Sequence, residues 1–229
     1  MYWTVCKYIL SQSYANTHDI SILKERATCE IVRDSIFDSL ADVTTPQGIF
    51  AVCKQMQYKL EDLLSHQINL AQGKQNNFYL IGENLNDPGN IGTLIRTAAA
   101  AGATGVVLTT GSADIYNPKV IRASAGAMLR LPIVVNMTIK QVAEVLKARE
   151  IPIYAAHPRG TIFPYDLNLQ ESFCFLLGNE SHGISEEATM YATSLVTLPM
   201  PGDTESLNVS IAGCVLLYES VRQRLHLSS

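Results

Sequence analysis

Short apolar segments alternate with helical segments through residues 78–219, and this alternation limits the possible folds more than any other feature of the chain. Strands are predicted at residues 78–81, 105–109, 131–135, 153–156, 173–177 and 195–198. Helices are predicted at residues 90–101 and 118–128, after a cap at Thr138, and after Ser185 and Ser206. Short strands alternating with helices of about 10 to 15 residues indicate a parallel sheet covered on both faces. The predicted fold class is therefore α/β.

The first 56 residues follow a different pattern, in which apolar runs are separated by polar breaks. They are predicted to form a small α/β module, in which Pro46-Gln47-Gly48 is a turn that leads into a strand at residues 49–53. Residues 54–77 are rich in Gln and Asn and are interpreted as a linker around one amphipathic piece, residues 60–64. Two domains are predicted, residues 1–72 including the linker and residues 73–229.

Composition excludes several classes of protein. The 229 residues are 47% hydrophobic, which is ample for a packed core. No apolar run approaches the roughly 20 residues that a membrane-spanning helix needs, and the first ten residues lack signal-peptide features, so a cytoplasmic protein without a membrane partner is expected. A net charge of -4 argues against a broad electrostatic grip on nucleic acid. Any RNA contact must therefore use local patches.

The cysteines do not form a recognisable framework. They are odd in number, scattered and without C-x-x-C spacing: Cys6, Cys29, Cys53, Cys174 and Cys214. Reduced, buried thiols and no zinc site are predicted.

Ligands of parallel α/β sheets bind beyond the carboxyl ends of the strands, so the loops that follow strands carry the functional information. The loop after residue 81 contains no G-x-G-x-x-G, which removes the best support for a dinucleotide-binding dehydrogenase. Its Asp87-Pro88-Gly89-Asn90 turn delivers Asn90 to a helix N-terminus. Arg96 follows on an otherwise apolar helix face, either as an arginine that reaches solvent or as a guanidinium aimed at a phosphate.

A second polar loop follows residue 177. Gly178 and Gly183 enclose a polar trio, so that a ligand can approach the backbone closely and the Glu180 carboxylate lies at the sheet edge. His182 in this loop is interpreted as a solvated surface group. His157 is interpreted in the same way, although its loop is expected to line the site.

The third loop joins the last predicted strand to the C-terminal helix through Pro199, Pro201 and Gly202. Ser206 is the predicted N-cap of that helix. Asn208 would then lie inside the first turn, where its propensity is poor, so its amide is predicted to make a contact there.

These loops carry three ordered motifs. They are Asn86-Asp87-Pro88-Gly89-Asn90-Ile91-Gly92 with Arg96-Thr97-Ala98, then Gly178-Asn179-Glu180 with Gly183, then Leu198-Pro199-Met200 with Ser206-Leu207-Asn208-Val209-Ser210. Together they resemble the motifs of the SpoU (TrmH-like) RNA 2'-O-ribose methyltransferases, of the SPOUT class. The resemblance covers roughly residues 73–229 and extends to the stretch 117–126. Residues 1–72 resemble the family's ribosomal-protein-like substrate-binding domain, with its first helix and strand missing.

The resemblance implies a fold and a cofactor. In the family the C-terminal part of the sheet is threaded into a deep trefoil knot, and S-adenosylmethionine sits bent within it, held by backbone groups of the three loops. No metal is implied. Carried over by motif, the cofactor-binding residues are Ala156, Leu177, Gly178, Asn179, Leu198, Met200 and Leu207.

The resemblance also implies a reaction, the transfer of a methyl group to a ribose 2'-hydroxyl of RNA, with ribosomal RNA expected and tRNA as the alternative. A homodimer that completes each active site is implied too. The implied catalytic residues are Asn90, Arg96, Glu180, Ser206 and Asn208. Because a guanidinium is not deprotonated in proteins, we expect Arg96 to bind the adjacent phosphate and stabilise the alkoxide, which leaves the general base open.

Two other classes stay open at this point. A non-catalytic RNA-binding paralogue would share the fold, although Asn90, Arg96, Glu180 and Asn208 are all present. A nucleotide-binding α/β enzyme of another chemistry would need a phosphate loop or metal ligands, and the sequence shows neither pattern.

Overall fold

The computed structural model describes residues 3–65 and 76–225. The chain divides into two compact units, of which the first ends at Met56 and the second begins at Gln57. The predicted boundary at residue 72 lies outside the described residues and stays a prediction. No helix of the described ranges is long and apolar enough to cross a membrane.

The first unit is a three-stranded sheet with short helices. Its elements are β1 (Val5–Ser11), α1 (Gln12–Thr17), α2 (Ser21–Arg26), β2 (Thr28–Val32), α3 (Asp34–Leu40) and β3 (Ile49–Cys53). The strand order is β2-β1-β3, with β1 parallel to β2 and antiparallel to β3. The ring of Phe37 stacks on that of Phe50 with centroids 4.2 Å apart, and Phe37 and Leu10 are both buried. The α/β module and the strand at residues 49–53 are thus as predicted.

The second unit holds a six-stranded sheet. Its elements are α4 (Leu60–Ser65), β4 (Phe78–Gly82), α5 (Pro88–Ala100), β5 (Gly105–Thr109), α6 (Pro118–Ala123), β6 (Ile133–Met137), α7 (Ile139–Ala148), β7 (Ile153–Ala156), β8 (Phe173–Leu177), α8 (Glu186–Tyr191), β9 (Ser194–Val196) and α9 (Val209–Leu225). The strand order is β6-β5-β4-β8-β7-β9, and every pair is parallel. This confirms the predicted α/β class with a parallel sheet.

Helices cover both faces of this sheet because the strand side chains alternate between them. On one face Tyr79 and Ile81 of β4 join a buried cluster with residues of α4, α7 and α8. On the other face α5 and α9 lie so close that a Cβ on Gly213 would stand 2.4 Å from Leu94 and 2.7 Å from Leu177. The stretch read as a linker therefore contributes α4 to the core, through Leu60, Leu63 and Leu64.

Several predicted boundaries need correction. The helix predicted at residues 118–128 ends at Ala123, because Ala125 and Gly126 take positive φ angles of 47° and 78°, and a separate 3-10 turn follows at Ala127–Leu129. The strand predicted at residues 131–135 is Ile133–Met137, and the last strand is Ser194–Val196. The predicted cap at Thr138 is confirmed as a capping box with Gln141.

The cysteines are free, but their predicted burial is wrong for most of them. Cys6 is exposed, and Cys29, Cys53 and Cys214 are only half-buried. Cys174 is buried within β8, and this burial raises the pKa of its thiol.

Arg224, near the end of α9, fastens this helix to the amino-terminal edge of the sheet. Its guanidinium lies 4.5 Å above the ring of Phe78. Three of its nitrogens donate, each at 2.8 Å, to the backbone carbonyls of Leu169, Asn76 and Glu171. Burial lowers the pKa of Arg224 to about 10, so the group is charged at neutral pH. The fork geometry of arginine suits such a set of acceptors, and lysine could not reproduce it.

We expect Arg224→Met to destabilise the fold by about 2–4 kcal/mol, because three carbonyls lose a charged donor in a partly buried place. Thermal or urea unfolding followed by circular dichroism measures the change. Arg222→Met is the matched control, since this exposed arginine on the same helix bonds within the described residues to Glu219, three residues earlier. Equal midpoints for the two variants would contradict the anchoring role of Arg224.

Candidate active site

A cavity of about 620 Å³ lies at the carboxyl ends of β7, β8 and β9. All residues predicted from the motifs to hold a cofactor line it: Ala156, Leu177, Gly178, Asn179, Leu198, Met200 and Leu207. Glu180, Ser206 and Asn208 line it as well. The structure therefore brings together loops that lie up to about fifty residues apart in the chain.

The loop after β8 is held in shape by its own backbone and by Asn179. Asn179 and Gly183 exchange two backbone hydrogen bonds of 2.9 Å, which close the loop. The side chain of Asn179 donates to the carbonyl of Asn84 at 2.8 Å and accepts from the amide of Ser181 at 2.9 Å. A Cβ on Gly178 would lie 2.2 Å from the backbone at Gly183, so only glycine fits there.

A chain of side-chain hydrogen bonds joins the three motifs. Nδ2 of Asn208 donates to Oδ1 of Asn90 at 3.1 Å. Nδ2 of Asn90 donates in turn to Oε1 of Glu180 at 3.1 Å. Each of these residues comes from a different post-strand loop, so this chain sets the positions of the loops relative to one another.

Asn208 also corrects the prediction for the start of α9. Its Oδ1 accepts from the amide of Ser210 at 2.9 Å and from the Ser210 hydroxyl at 2.7 Å, and its carbonyl accepts from the amide of Ala212. Asn208 is therefore the N-cap, the helix begins at Val209, and Ser206 lies in the loop that lines the cavity. Because capping uses Oδ1, the amide nitrogen must face Asn90, which fixes the direction of the chain.

The carboxylate of Glu180 accepts three hydrogen bonds. Besides Asn90, the backbone amides of Asn86 and Asp87 point at its carboxylate, both at 3.3 Å. Partial burial is the strongest single influence and raises the pKa of Glu180, but the bond from Asn90 and the amides together outweigh it, so the pKa lies below its ordinary value. Glu180 is thus ionised at neutral pH.

Arg96 stands apart from this cluster. It is exposed on α5 and does not line the cavity. Six residues separate it from Asn90, which places it about 9 Å further along the helix axis and on a different side of the helix. The next residue, Thr97, contacts Cys214 of α9 at 3.0 Å between Oγ1 and Sγ, so Arg96 lies near the junction of α5 and α9.

Sequence reasoning missed Glu83, a carboxylate that is only 8% exposed. Its two oxygens accept from the amide of Ser185 at 2.9 Å and from the Ser185 hydroxyl at 2.6 Å. Its amide donates to the carbonyl of Leu177 at 2.8 Å. Glu83 thereby ties the end of β4 to both ends of the cavity loop, and the only sequence signal was an acidic residue directly after a buried strand.

Further polar residues of the cavity wall were given little weight or no role from the sequence. They are His157, Arg159, His182 and Glu205. Among residues 3–65 and 76–225, no group of three His, Cys, Asp or Glu side chains is placed to hold a metal ion.

The ionised state of Glu180 makes the stability of the site dependent on pH. Because its native pKa lies below the ordinary value of 4.5, its contribution is complete above that value and is lost as the pH falls through the native pKa. We expect Glu180→Gln to be less stable than the wild type near pH 7 by at most about 1 kcal/mol, because the group is largely exposed, and the two to converge as the pH falls through the native pKa of Glu180. Unfolding curves across this range measure the difference.

The matched control is a double-mutant cycle with Asn90→Ala, which removes one donor without adding charge. The effect of Glu180→Gln should be smaller in that background. An unchanged effect would mean that Asn90 does not stabilise the carboxylate.

Comparison with known proteins agrees with this geometry. The sequence model of the SpoU rRNA methylase family matches residues 77–218. The chain is 33% identical over 199 residues to the 23S rRNA (guanosine(2553)-2'-O)-methyltransferase RlmP of Bacillus subtilis, covering 86% of this chain and 74% of that protein. It is also 33% identical to the 23S rRNA (guanosine-2'-O-)-methyltransferase RlmB of Xanthomonas campestris, covering 85% and 77% of the two chains.

A solved structure gives the same result for the fold. The SpoU methyltransferase AviRb from Streptomyces viridochromogenes, in complex with its cofactor S-adenosylmethionine, superposes with a TM-score of 0.84 at 26% identity, covering 97% of this chain and 84% of that one. The resemblance drawn from the three motifs is therefore confirmed, and the chain belongs to the SpoU rRNA methylase family.

Proposed function

We propose that this protein transfers the methyl group of S-adenosylmethionine to a ribose 2'-hydroxyl of ribosomal RNA. The observation that carries the proposal is the hydrogen-bond chain from Asn208 through Asn90 to Glu180, whose two end residues line the cavity. It unites the three motifs of the family in one site. The ribosomal substrate follows from the named activities of the relatives.

The cavity fits the cofactor. Its volume of about 620 Å³ is within the range of small-molecule sites, and its wall combines apolar side chains with backbone of glycine and loop residues. Leu198 and Leu207 offer apolar contact for an adenine, while the backbone around Gly178 is open to polar contact. We assign cofactor binding to these three residues together with Ala156, Leu177, Asn179 and Met200.

When bound, S-adenosylmethionine supplies a methyl group on a positively charged sulfur, which is already a good leaving group. The work of the protein is therefore to align the acceptor oxygen and to assist the loss of its proton. Glu180 is held ionised and can orient a ribose hydroxyl as a hydrogen-bond acceptor. Asn90 and Asn208 hold the surrounding loops in place, and Ser206 lines the cavity beside them.

A deep trefoil knot is part of the proposal. Support comes from the segment after β7, which crosses β9 closely: a Cβ on Gly160 would lie 2.8 Å from the carbonyl oxygen of Leu195, and the amide of Thr197 donates to the carbonyl of Ile162 at 2.9 Å. The chain then enters β8 in the middle of the sheet and returns through β9 to α9. Such threading is rare among proteins.

A homodimer is proposed from the exposed side of α9. Ile211, Val215 and Tyr218 recur at spacings of four and three residues, and each is 47–52% exposed. This spacing forms one apolar stripe along a helix, and a stripe of this kind fits a second helix. Two copies of the chain would cover it. The cytoplasmic location stays a prediction.

The dimer also gives Arg96 a role. Its exposed guanidinium near the junction of α5 and α9 is turned away from the cluster of its own chain. We propose that it serves the cavity of the partner subunit, where it binds the RNA phosphate next to the reacting ribose and stabilises the developing alkoxide.

Methyl transfer to RNA tests the function directly. We expect the purified protein with tritiated S-adenosylmethionine to label 23S rRNA from cells that lack the gene, and the label to map to a 2'-O-methyl ribose. Asn208→Ala should weaken both cofactor binding and transfer, because it releases the third loop. Label in tRNA instead would change the substrate, and cofactor binding without any transfer would favour a non-catalytic RNA-binding paralogue.

A mixed dimer tests the shared site. Arg96→Ala and Asn208→Ala should each be nearly inactive alone, with a loss of about 10²-fold or more for the arginine. Co-expressed with different tags, they should recover about a quarter of the wild-type rate, because half of the random dimers carry one intact site out of two. If both residues act within one chain, co-expression restores nothing.

A further inference from the structure

Two histidines line the cavity, and their hydrogen bonds select different neutral tautomers of the imidazole ring. His182 belongs to the loop after β8 and His157 to the loop after β7. A neutral imidazole has one nitrogen that donates and one that accepts, and the partner of one nitrogen decides the state of the other. The hydrogen-bond partners of Nδ1 therefore define what Nε2 can do in each ring.

The state of His182 follows from the orientation of Asn179. Nδ2 of Asn179 donates to the carbonyl of Asn84 at 2.8 Å, so the opposite end of the amide is the oxygen. That oxygen accepts from the amides of Ser181 and His182, which agrees with this orientation. It lies 3.2 Å from Nδ1 of His182. Since the amide oxygen can only accept, Nδ1 must carry a proton, and in the neutral ring Nε2 has an unshared electron pair.

His157 has the reverse pattern. Its Nδ1 lies 3.0 Å from the backbone nitrogen of Arg159, which can only donate. Nδ1 is therefore the acceptor, and the proton of the neutral ring is on Nε2. His157 can donate a hydrogen bond to a ligand but cannot take a proton at Nε2.

The role of proton acceptor is not taken by the other charged groups around the cavity. Arg159 is a guanidinium and has no acceptor. Glu180 already accepts three hydrogen bonds, and its pKa lies below the ordinary value, with burial opposing and the bond from Asn90 favouring this shift. Glu205 lines the cavity from the loop that precedes α9. Glu186 and Glu187 lie in the first turn of α8, which follows the loop of His182.

Access also favours His182. An RNA ribose is part of a polymer and cannot enter a cavity of about 620 Å³ that also holds a cofactor, so the acceptor of its proton must be exposed at the cavity wall. His182 is exposed and lies two residues from Glu180, whereas His157 is only partly exposed.

On these grounds we propose that Nε2 of His182 accepts the proton of the ribose 2'-hydroxyl, as the general base of the reaction under the proposed function. The ribose oxygen forms its bond to the methyl carbon while the carbon–sulfur bond breaks, and the sulfur keeps that electron pair. The proton passes from the oxygen to Nε2, which yields an imidazolium that Asn179 stabilises through Nδ1. The imidazolium then releases its proton to water.

The tautomers can be observed without any reaction. Long-range proton–nitrogen spectra of the imidazole-labelled protein at alkaline pH should show His182 with its proton on Nδ1 and His157 with its proton on Nε2. The variant His182→Gln assigns the first set of signals, and His157→Gln assigns the second. A proton on Nε2 of neutral His182 overturns the proposal.

Single-turnover methylation at saturating cofactor and RNA tests the role in chemistry. The wild-type rate should fall on the acid side, because a protonated imidazole has no electron pair with which to accept the ribose proton. His182→Gln should lose about 10²–10⁴-fold in rate together with this acid limb, as expected for a general base. Its affinity for S-adenosylhomocysteine, measured by calorimetry, should stay within about twofold of the wild type, because the residue does not hold the cofactor.

Matched variants separate this result from a structural effect. His157→Gln and Glu205→Gln should keep the acid limb. Loss of the limb in Glu205→Gln, or its survival in His182→Gln, overturns the proposal. A wild-type protein that transfers no methyl group to RNA overturns the proposed function instead, and the tautomer spectra still decide the state of His182.

Discussion

The hydrogen bonds that link Asn208, Asn90 and Glu180 are the constraint on which the site depends. They connect residues separated by up to 118 positions in the chain, and each amide in the series is oriented by its neighbour. The series starts at the N-terminus of α9, where the helix dipole is positive, and ends on a carboxylate. The hydrogen bonds of the series therefore all donate in one direction, from the start of α9 toward the carboxylate of Glu180. Asn179 and Glu83 add further side-chain bonds between the loops after β4 and β8, whereas the bond from Asn208 to Asn90 ties the third loop to this pair.

The third loop is held from both ends of α9. Asn208 fixes the start of the helix to Asn90, and Arg224 fixes its end to three carbonyls at the other edge of the sheet. Between them Gly213 lets the helix approach α5 and β8 closely. A helix of 17 residues spans about 25 Å, so the two attachments act on opposite edges of the sheet. The wall of the cavity on the side of α9 is thus attached at both ends of that helix, although the loop itself is exposed.

Much of this arrangement could be predicted from the sequence because strands and their following loops have local signals. The strands at residues 105–109, 153–156 and 173–177 have the predicted bounds, and the predicted cofactor residues line one cavity. The start of α9 was predicted wrongly because Ser206 and Asn208 are both good caps, and the choice depends on Asn90, which is distant in sequence. The end of α6 at Ala123 was missed for a related reason, since an alanine gives no indication in the sequence that Ala125 takes a positive φ angle. The roles of the site residues stay proposals.

The position of Arg96 is the reason for the proposal that a second subunit completes the site. Its helix supplies Asn90 to the cluster from the first turn, so a residue six positions later must face elsewhere. The apolar stripe of α9 is exposed near the contact between α5 and α9. A second copy of the chain that covered the stripe would bring residues of the partner subunit close to this contact. With a net charge of -4, the protein has no general attraction for phosphate to rely on. The guanidinium of Arg96, supplied across a subunit contact, would then bind a phosphate only when the RNA already fits the cavity. Phosphate binding would thereby depend on recognition of the substrate.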